Sequence, residues 1–334
     1  MLIHGPGGRA MTLHAAAEYN EEIGRTQHGM RLSILDQVPL TEHAPDRSAA
    51  LTSGLALAQD ADALGYHRIW FAEHHNSRSF ASAAPEMMTA LALERTSRIR
   101  VGTGAILLPY YPAQKVAETM GLLSAVHPNR VDTGLGRAAL SDPDYAAKIA
   151  ALVQEFGANH AQPDSEPVGG VWVLGAGGSS APLPGTLGAG YVHGHFLRPT
   201  GGEVATRAYQ EAAAQSGHAA HTVLAVRFVT AETGERAQEL AEALLLWRVR
   251  KDFGHDGPIP STAGAGSYQW SAPEQARAKE RSQALIVGTP DKVRAQLLAL
   301  AESHRADELM LNTLVSDPED RLNAYRLLAD RLIG

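Results

Sequence analysis

The chain has 334 residues, 44% hydrophobic and 19% charged, an ordinary globular composition. A net charge of −7 with no long basic stripe argues against nucleic acid, and the lack of cysteine excludes disulfides, zinc–thiolate sites and a cysteine nucleophile. No apolar run reaches the ~18 residues of a membrane span, and no basic-then-apolar leader opens the chain, so the cytoplasm is the expected compartment.

Residues 1–29 differ from the rest of the chain and read as an extension outside the core fold, partly helical over Leu13 to Ile23. Met11 and Met30 lie near alternative starts. From Met30 short apolar runs alternate with longer amphipathic stretches. The strands read as 31–35, 68–72, 98–108, 130–136, 171–175, 190–194, 222–231 and 306–312. The helices between them read as 48–66, 85–96, 112–126, 234–253, 289–304 and 317–332, the last two opening with a capping residue and then proline. Eight βα units argue for a closed parallel barrel, a single (β/α)8 domain over 30–334 with loop insertions. No G-x-G-x-x-G follows the first strand, which weakens an open dinucleotide-binding sheet. Two stretches break the rhythm. Residues 139–170 carry one helix and a loop, and 254–288, rich in Gly, Pro and Ser, reads as a lid or a disordered loop.

In such a barrel the chemistry sits where the strands end. The first strand ends in Asp36 and Gln37, the second in Glu73, His74 and His75. The third ends in Gly104 and Ala105, the fourth in Gly136 and Arg137. The fifth runs into "GAGGSS", and the sixth ends near His193 and His195. Adjacent strand residues face opposite sides, so Glu73 and His74 share a pocket only where the strand bends or stops. Taken alone, a histidine at a strand end is more often structural than catalytic. The glycines at 175, 177 and 178 let main chain approach a ligand, and Ser179 and Ser180 are placed to cap the following helix. With Arg137 next to them, this turn suits a phosphate. His193 and His195 can face the same way, which suits a metal, but no carboxylate set accompanies them, so no metal is expected.

"LSILDQVPL", "LGYHRIWFAEHH", "IRVGTGAILLPYYPAQKVAETMGLLSAVHPNRVDTGLGRA", "VWVLGAGGSSA", "VGTPDKV" and "ADELMLN" resemble, in order, segments of the bacterial luciferase-like flavin-dependent monooxygenases. The likeness runs from Arg31 to Leu332, and its specific part spans Asp36 to Ala138. It implies a (β/α)8 TIM barrel binding reduced FMN supplied by a separate flavin reductase. Oxygen is expected to add to the flavin as a C4a-peroxide that oxygenates a small organic substrate. His74 matches the active-site histidine, with Glu73 before it as a second catalytic residue. Gly104–Ala105 matches a cis peptide under the flavin ring. Asp36, Gly136, Arg137, Gly175, Ala176, Gly177, Ser179 and Ser180 fall on cofactor-binding positions. Relatives carry serines where this chain has Ala176 and Gly177, which implies weaker flavin binding. The stretch from Arg137 to Val171 is shorter than usual, which implies a more open substrate site.

On this likeness His74 is expected to act as acid/base or hydrogen-bond donor, because imidazole titrates near working pH. The rival readings are hydride transfer with a reduced deazaflavin, a metal-dependent hydrolase built on His74, His193 and His195, and a non-catalytic flavin-binding protein. An Ala/Gly/Arg-rich composition points to secondary-metabolite tailoring, polyketides included. A homodimer through 85–96 and 112–126 is the expected assembly.

Overall fold

The computed structural model describes residues 2–4, 10–12, 29–138, 140–159 and 167–333. Eight strands form a closed ring: β1 (Arg31–Asp36), β2 (Arg68–Phe71), β3 (Arg100–Thr103), β4 (Val131–Gly136), β5 (Val171–Gly175), β6 (Gly190–Gly194), β7 (Thr222–Thr230) and β8 (Glu308–Asn312). Each pairs in parallel with the next, and β8 closes on β1 through Glu308↔Arg31 to Leu311↔Ile34. These are the eight strands that the sequence pattern marks. The third run is split: after β3 the chain passes Gly104–Ala105, a cis peptide, and Ile106–Leu107 resumes pairing with β4.

The helices α1 (Arg47–Ala63), α2 (Pro85–Leu93), α3 (Ala113–Val126), α4 (Tyr145–Asn159), α5 (Pro182–Leu187), α6 (Gly202–Gln215) and α7 (Gly234–Asp252) follow β1 to β7. Period-two alternation splits each strand between two cores. Leu224, Val226 and Phe228 of β7 join the layer between strands and helices, while Val223 and Ala225 face into the barrel with Leu35, Trp70, Trp172 and Met310. Close strand approach needs glycine at two points: a side chain at Gly102 or Gly134 would run into the Asp132 or Thr103 carbonyl.

The segment 254–288 is not a structureless loop. It contains α8 (Thr262–Gly266), α9 (Ala272–Arg281) and a ninth strand, Leu285–Gly288, which pairs with Arg227–Thr230 at the end of β7, outside the ring. Helix α9 escapes sequence reading because it buries no residue and so carries no apolar stripe; its capping box, Ser271 with Glu274, is the signal that marks it. The last helices are α10 (Pro290–His304) and α11 (Pro318–Leu332). Asp317 caps α11 through its carboxylate, whereas the Thr289 side chain makes no capping bond. Near the start, Leu2–His4 pairs antiparallel with Ala10–Thr12, and the helix expected over 13–23 lies outside the described residues.

The lower barrel interior is filled by charge. Arg68, fully buried, donates from Nε and Nη2 to the two Glu308 oxygens at 2.9 and 3.1 Å, and from Nη1 to Asp132 at 2.9 Å. Asp132 also takes Arg100 and the Trp70 indole N–H. Burial alone would raise the Glu308 carboxyl, but Arg68 beside it holds it well below the usual carboxylate range. The network ties β2, β3, β4 and β8 across the barrel. Replacing Arg68 by Met takes the guanidinium from the buried Glu308 carboxylate, while Asp132 keeps Arg100, so Arg68→Met should lower stability by about 3–5 kcal/mol. Chemical denaturation checks this; a loss under about 1 kcal/mol, the scale of an exposed ion pair, contradicts it.

Candidate active site

The inward position nearest the C-terminal end of most strands is small, Ala72, Gly104, Gly136, Ala176 and Gly194, and Ala225 lines the cavity from mid-β7. Below them Trp70 and Trp172 meet edge-on at 5.3 Å and fill the middle layer. Large residues beneath and small ones above leave a cavity of about 760 Å³ at the mouth of the barrel, a volume typical of small-molecule sites. Glu73, His74, Gly104, Ala105, Gly136, Arg137, Gly175, Ala176, Gly177 and Ser180 all line it, as expected of site residues. Ser179 belongs to the same turn, but its side chain lies outside the described residues.

Asp36 does not reach the cavity. It is fully buried, pairs with Arg321 and accepts the Val38 N–H at 2.7 Å. The reason is strand parity: Leu35 and Gln37 line the cavity, so the residue between them faces the helices. His193 fails in the same way. Val192 and Gly194 face inward, and His193 turns outward, stacked on His304 at 5.9 Å, with His195 beside them. These histidines do not join His74, and no group of three or more among the described residues can hold a metal.

β2 stops at Phe71, so Glu73 and His74 are freed from alternation and both border the cavity. Their tasks differ. The enclosed Glu73 carboxylate accepts from Leu107 N–H and Tyr111 O–H, each at 2.8 Å, and from the His75 ring. It braces the chain just beyond the cis Gly104–Ala105 bond, and these donors suit a positioning group at the cavity wall.

His74 stacks on Phe80 at 4.1 Å. Its tautomer is set by its neighbours. Arg227 Nη2 donates to Gln37 Oε1 at 2.6 Å, which turns Gln37 Nε2 toward His74 Nε2, 3.4 Å away. The amide then donates to Nε2, and we assign the proton to Nδ1, a buried atom without a hydrogen-bond partner. Burial first, then the positive Lys251 and Arg227, lower the His74 pKa to about 4. The expectation that this imidazole titrates near neutral pH is therefore corrected: it is neutral there and offers an N–H donor.

Two strands along the ring, Arg137 follows the end of β4 and is exposed, its guanidinium carbon 5.8 Å from the Tyr145 ring. A Cβ added at Gly177 or Gly178 would meet nothing within 4 Å, so the turn after β5 is open to a ligand. The Ser180 hydroxyl closes this turn on the Gly177 carbonyl at 3.3 Å instead of capping a helix. An accessible guanidinium next to open glycine main chain fits a phosphate. Together with the orphan N–H of His74, the residues present fit a nucleotide-like cofactor.

Three cavity residues were missed by sequence reading, Phe196, Lys251 and Asp256, while Gln37 was marked only as a strand end. Lys251 Nζ pairs with Asp256 at 2.8 Å, and Asp256 also accepts the Arg78 N–H at 2.7 Å and the Ser79 hydroxyl. Although burial opposes it, bonding to Lys251 and Ser79 lowers Asp256 to about 2. This carboxylate pins the loop after β2 to the start of the 254–288 segment. In sequence Lys251 and Asp256 look like a solvated helix tail.

The model of the luciferase-like monooxygenase family matches residues 30–146 and 141–307. The uncharacterized protein YwcH of Bacillus subtilis is 36% identical over 90% of this chain and 98% of its own length. The structure of apo-MsnO8 superposes with a TM-score of 0.73 at 31% identity, covering 90% of this chain and 97% of that one. At 19% and 15% identity, the FMN complex of the oxygenating constituent of 3,6-diketocamphane monooxygenase of Pseudomonas putida and the coenzyme F420-dependent tetrahydromethanopterin reductase of Methanopyrus kandleri share the fold, both with a TM-score of 0.65. The first covers 90% of this chain and 97% of its own, the second 91% and 98%.

The depressed histidines set a pH dependence. His74 and His193, both near 4 when folded against 6.5 unfolded, take up protons on unfolding between those values. Their contribution to stability is complete above pH 6.5 and is lost as the pH falls through about 4. NMR titration of the imidazole C–H signals should place the His74 midpoint near 4; a midpoint at 6 or above contradicts the buried, neutral assignment.

Proposed function

The chain belongs to the luciferase-like monooxygenase family and is an enzyme of the oxidoreductase type; from that premise we propose that it is the oxygenase of a two-component system. It takes reduced FMN from a separate flavin reductase and, with O2, oxygenates a small organic molecule. One observation carries this reading: a single cavity joins an open anion site, Arg137 with the Gly175–Ser180 turn, to a buried neutral imidazole at His74. Arg137 and the glycine main chain hold the phosphate, and Gly104, Ala105 and Gly136 leave room for the ring system. Bound reduced flavin supplies the two electrons that let O2 deliver one oxygen atom to the substrate and the other to water.

The chain's own residues do the rest. Gln37 keeps His74 in its Nδ1–H tautomer, a neutral, unpartnered donor in the cavity wall. Glu73 holds Leu107 and Tyr111 so that the floor at Gly104–Ala105 stays in place. The segment starting at Asp256 shields one side, which matters because water access diverts activated oxygen. Met87 and Leu91 on α2 and Leu122 and Val126 on α3 are exposed and apolar, the faces on which a second copy packs.

A second reading keeps the barrel and moves a hydride with a reduced deazaflavin; it is favoured by the fold shared with the F420-dependent reductase. Oxygen uptake separates the two. Anaerobic titration with reduced FMN, followed by admission of air, should show binding and then FMN-dependent oxygen consumption. Arg137→Gln should weaken reduced-FMN binding about tenfold, the scale of one charged hydrogen bond. His74→Ala should leave that affinity within about twofold but divert oxygen to hydrogen peroxide, because only the donor in the cavity wall is lost. No binding of reduced FMN, or binding without oxygen uptake, contradicts the proposal.

A further inference from the structure

Besides Arg137 at the rim, one cation behind the cavity wall has no carboxylate partner among the described residues. Arg227 lies on the inward face of β7, two residues beyond the cavity-lining Ala225, and is 8% exposed. Its Nε donates to Asn312 Oδ1 at 2.8 Å and its Nη2 to Gln37 Oε1 at 2.6 Å. Both acceptors are neutral amides. Nη1 has no hydrogen-bond partner among the described residues and is not one of the fully enclosed polar atoms. The Phe196 ring, which lines the cavity, lies 4.8 Å from the guanidinium carbon.

Other buried arginines are treated differently. Arg68, Arg100 and Arg321 each bond a carboxylate. Arg227 itself forms no ion pair among the described residues, and the cavity-lining Asp256 is taken by Lys251 and Ser79. Burial, and then Arg248, lower the guanidinium to about 9, so it is still charged at neutral pH. A buried charge without a counter-ion is unfavourable, and an anion arriving with a free oxygen pair relieves it.

We propose that the β7 side of the cavity recognises a carboxylate on the substrate and that Arg227 is the cation that receives it. The ring order separates this site from the phosphate site: Arg137 extends from β4, three strands from β7, and the glycine turn follows β5, two strands away. The cavity thus has two anion subsites on different walls. A single guanidinium flanked by an aromatic ring suits one planar carboxylate better than a phosphate dianion, which the accessible Arg137 and glycine turn accommodate. The Gln37 link lets carboxylate binding be felt at His74, because the amide bonded to Arg227 also faces the imidazole.

The inference rests on the cavity being the oxidoreductase site proposed above, yet its test needs no flavin. Trp247 lies 5.8 Å from the Arg227 guanidinium carbon and serves as a local fluorescence reporter. The full chain is titrated at pH 7 and fixed ionic strength with benzoate and with the isosteric, neutral benzamide. Benzoate should bind about tenfold or more tightly, the worth of a charge-assisted hydrogen bond. Arg227→Gln should erase the preference, and Arg227→Lys should retain part of it. Equal affinity of the wild-type chain for both probes overturns the proposal even if the variants fail to fold, and so does an undiminished preference in a folded Arg227→Gln. If reduced FMN binds and benzoate shows no preference, this inference falls while the oxygenase reading stands. A benzoate preference without FMN binding has the opposite meaning.

Discussion

Arg68 is the residue on which the architecture turns. It sits at the centre of the lower barrel with no exposure and clamps carboxylates from β4 and β8. A barrel of this kind is normally packed with branched apolar side chains. Here ions and the indole N–H of Trp70 take that place, and Arg68 matters most because it is the guanidinium that Glu308 pairs with. The guanidinium also lies 4.5 Å from the Trp172 ring, which joins the charged layer to the aromatic one above. With the bottom and middle filled, most of the inward positions at the strand ends are glycine or alanine, and the cavity is the space that they leave.

Two cations without a carboxylate partner, Arg137 lining that space and Arg227 behind its Ala225 and Phe196 wall, behave differently. Arg137 is exposed at the rim next to open main chain, so it can meet a ligand while staying hydrated. Arg227 is buried among amides and aromatic rings. His74 is kept neutral by burial and by the positive charges of Lys251 and Arg227. A neutral imidazole in a low-dielectric wall is a steadier hydrogen-bond donor than one that titrates with the medium. Its chemistry is thus set by a neighbourhood drawn from β1, β7 and α7, not by its own strand.

The ring of eight strands was legible because alternating apolar runs of strand length are a strong local signal, and the small residues at strand ends marked the mouth. Period-two reasoning also held the answer for Asp36 and His193, whose flanking neighbours face the cavity. The family pattern drew Asp36 into the site, where parity alone would have kept it out. The elements inside 254–288 were hidden because α9 is polar on every face and the strand Leu285–Gly288 is only four residues long. Arg227 left one trace, a charge inside "TVLAVRFVT" in phase with Ala225. What sequence could not supply was its lack of a counter-ion, since that depends on which partners the cavity-lining Asp256 chooses in three dimensions.

The account's central claim is that the barrel mouth is a flavin site whose anionic end lies at Arg137. Diffraction from crystals grown with FMN tests it most directly. The account predicts ligand density in the mouth, with the phosphate against Arg137 and the Gly175–Ser180 turn and the ring system over Gly104–Ala105. An empty mouth at saturating FMN, or a phosphate seated at Arg227 instead, would contradict it.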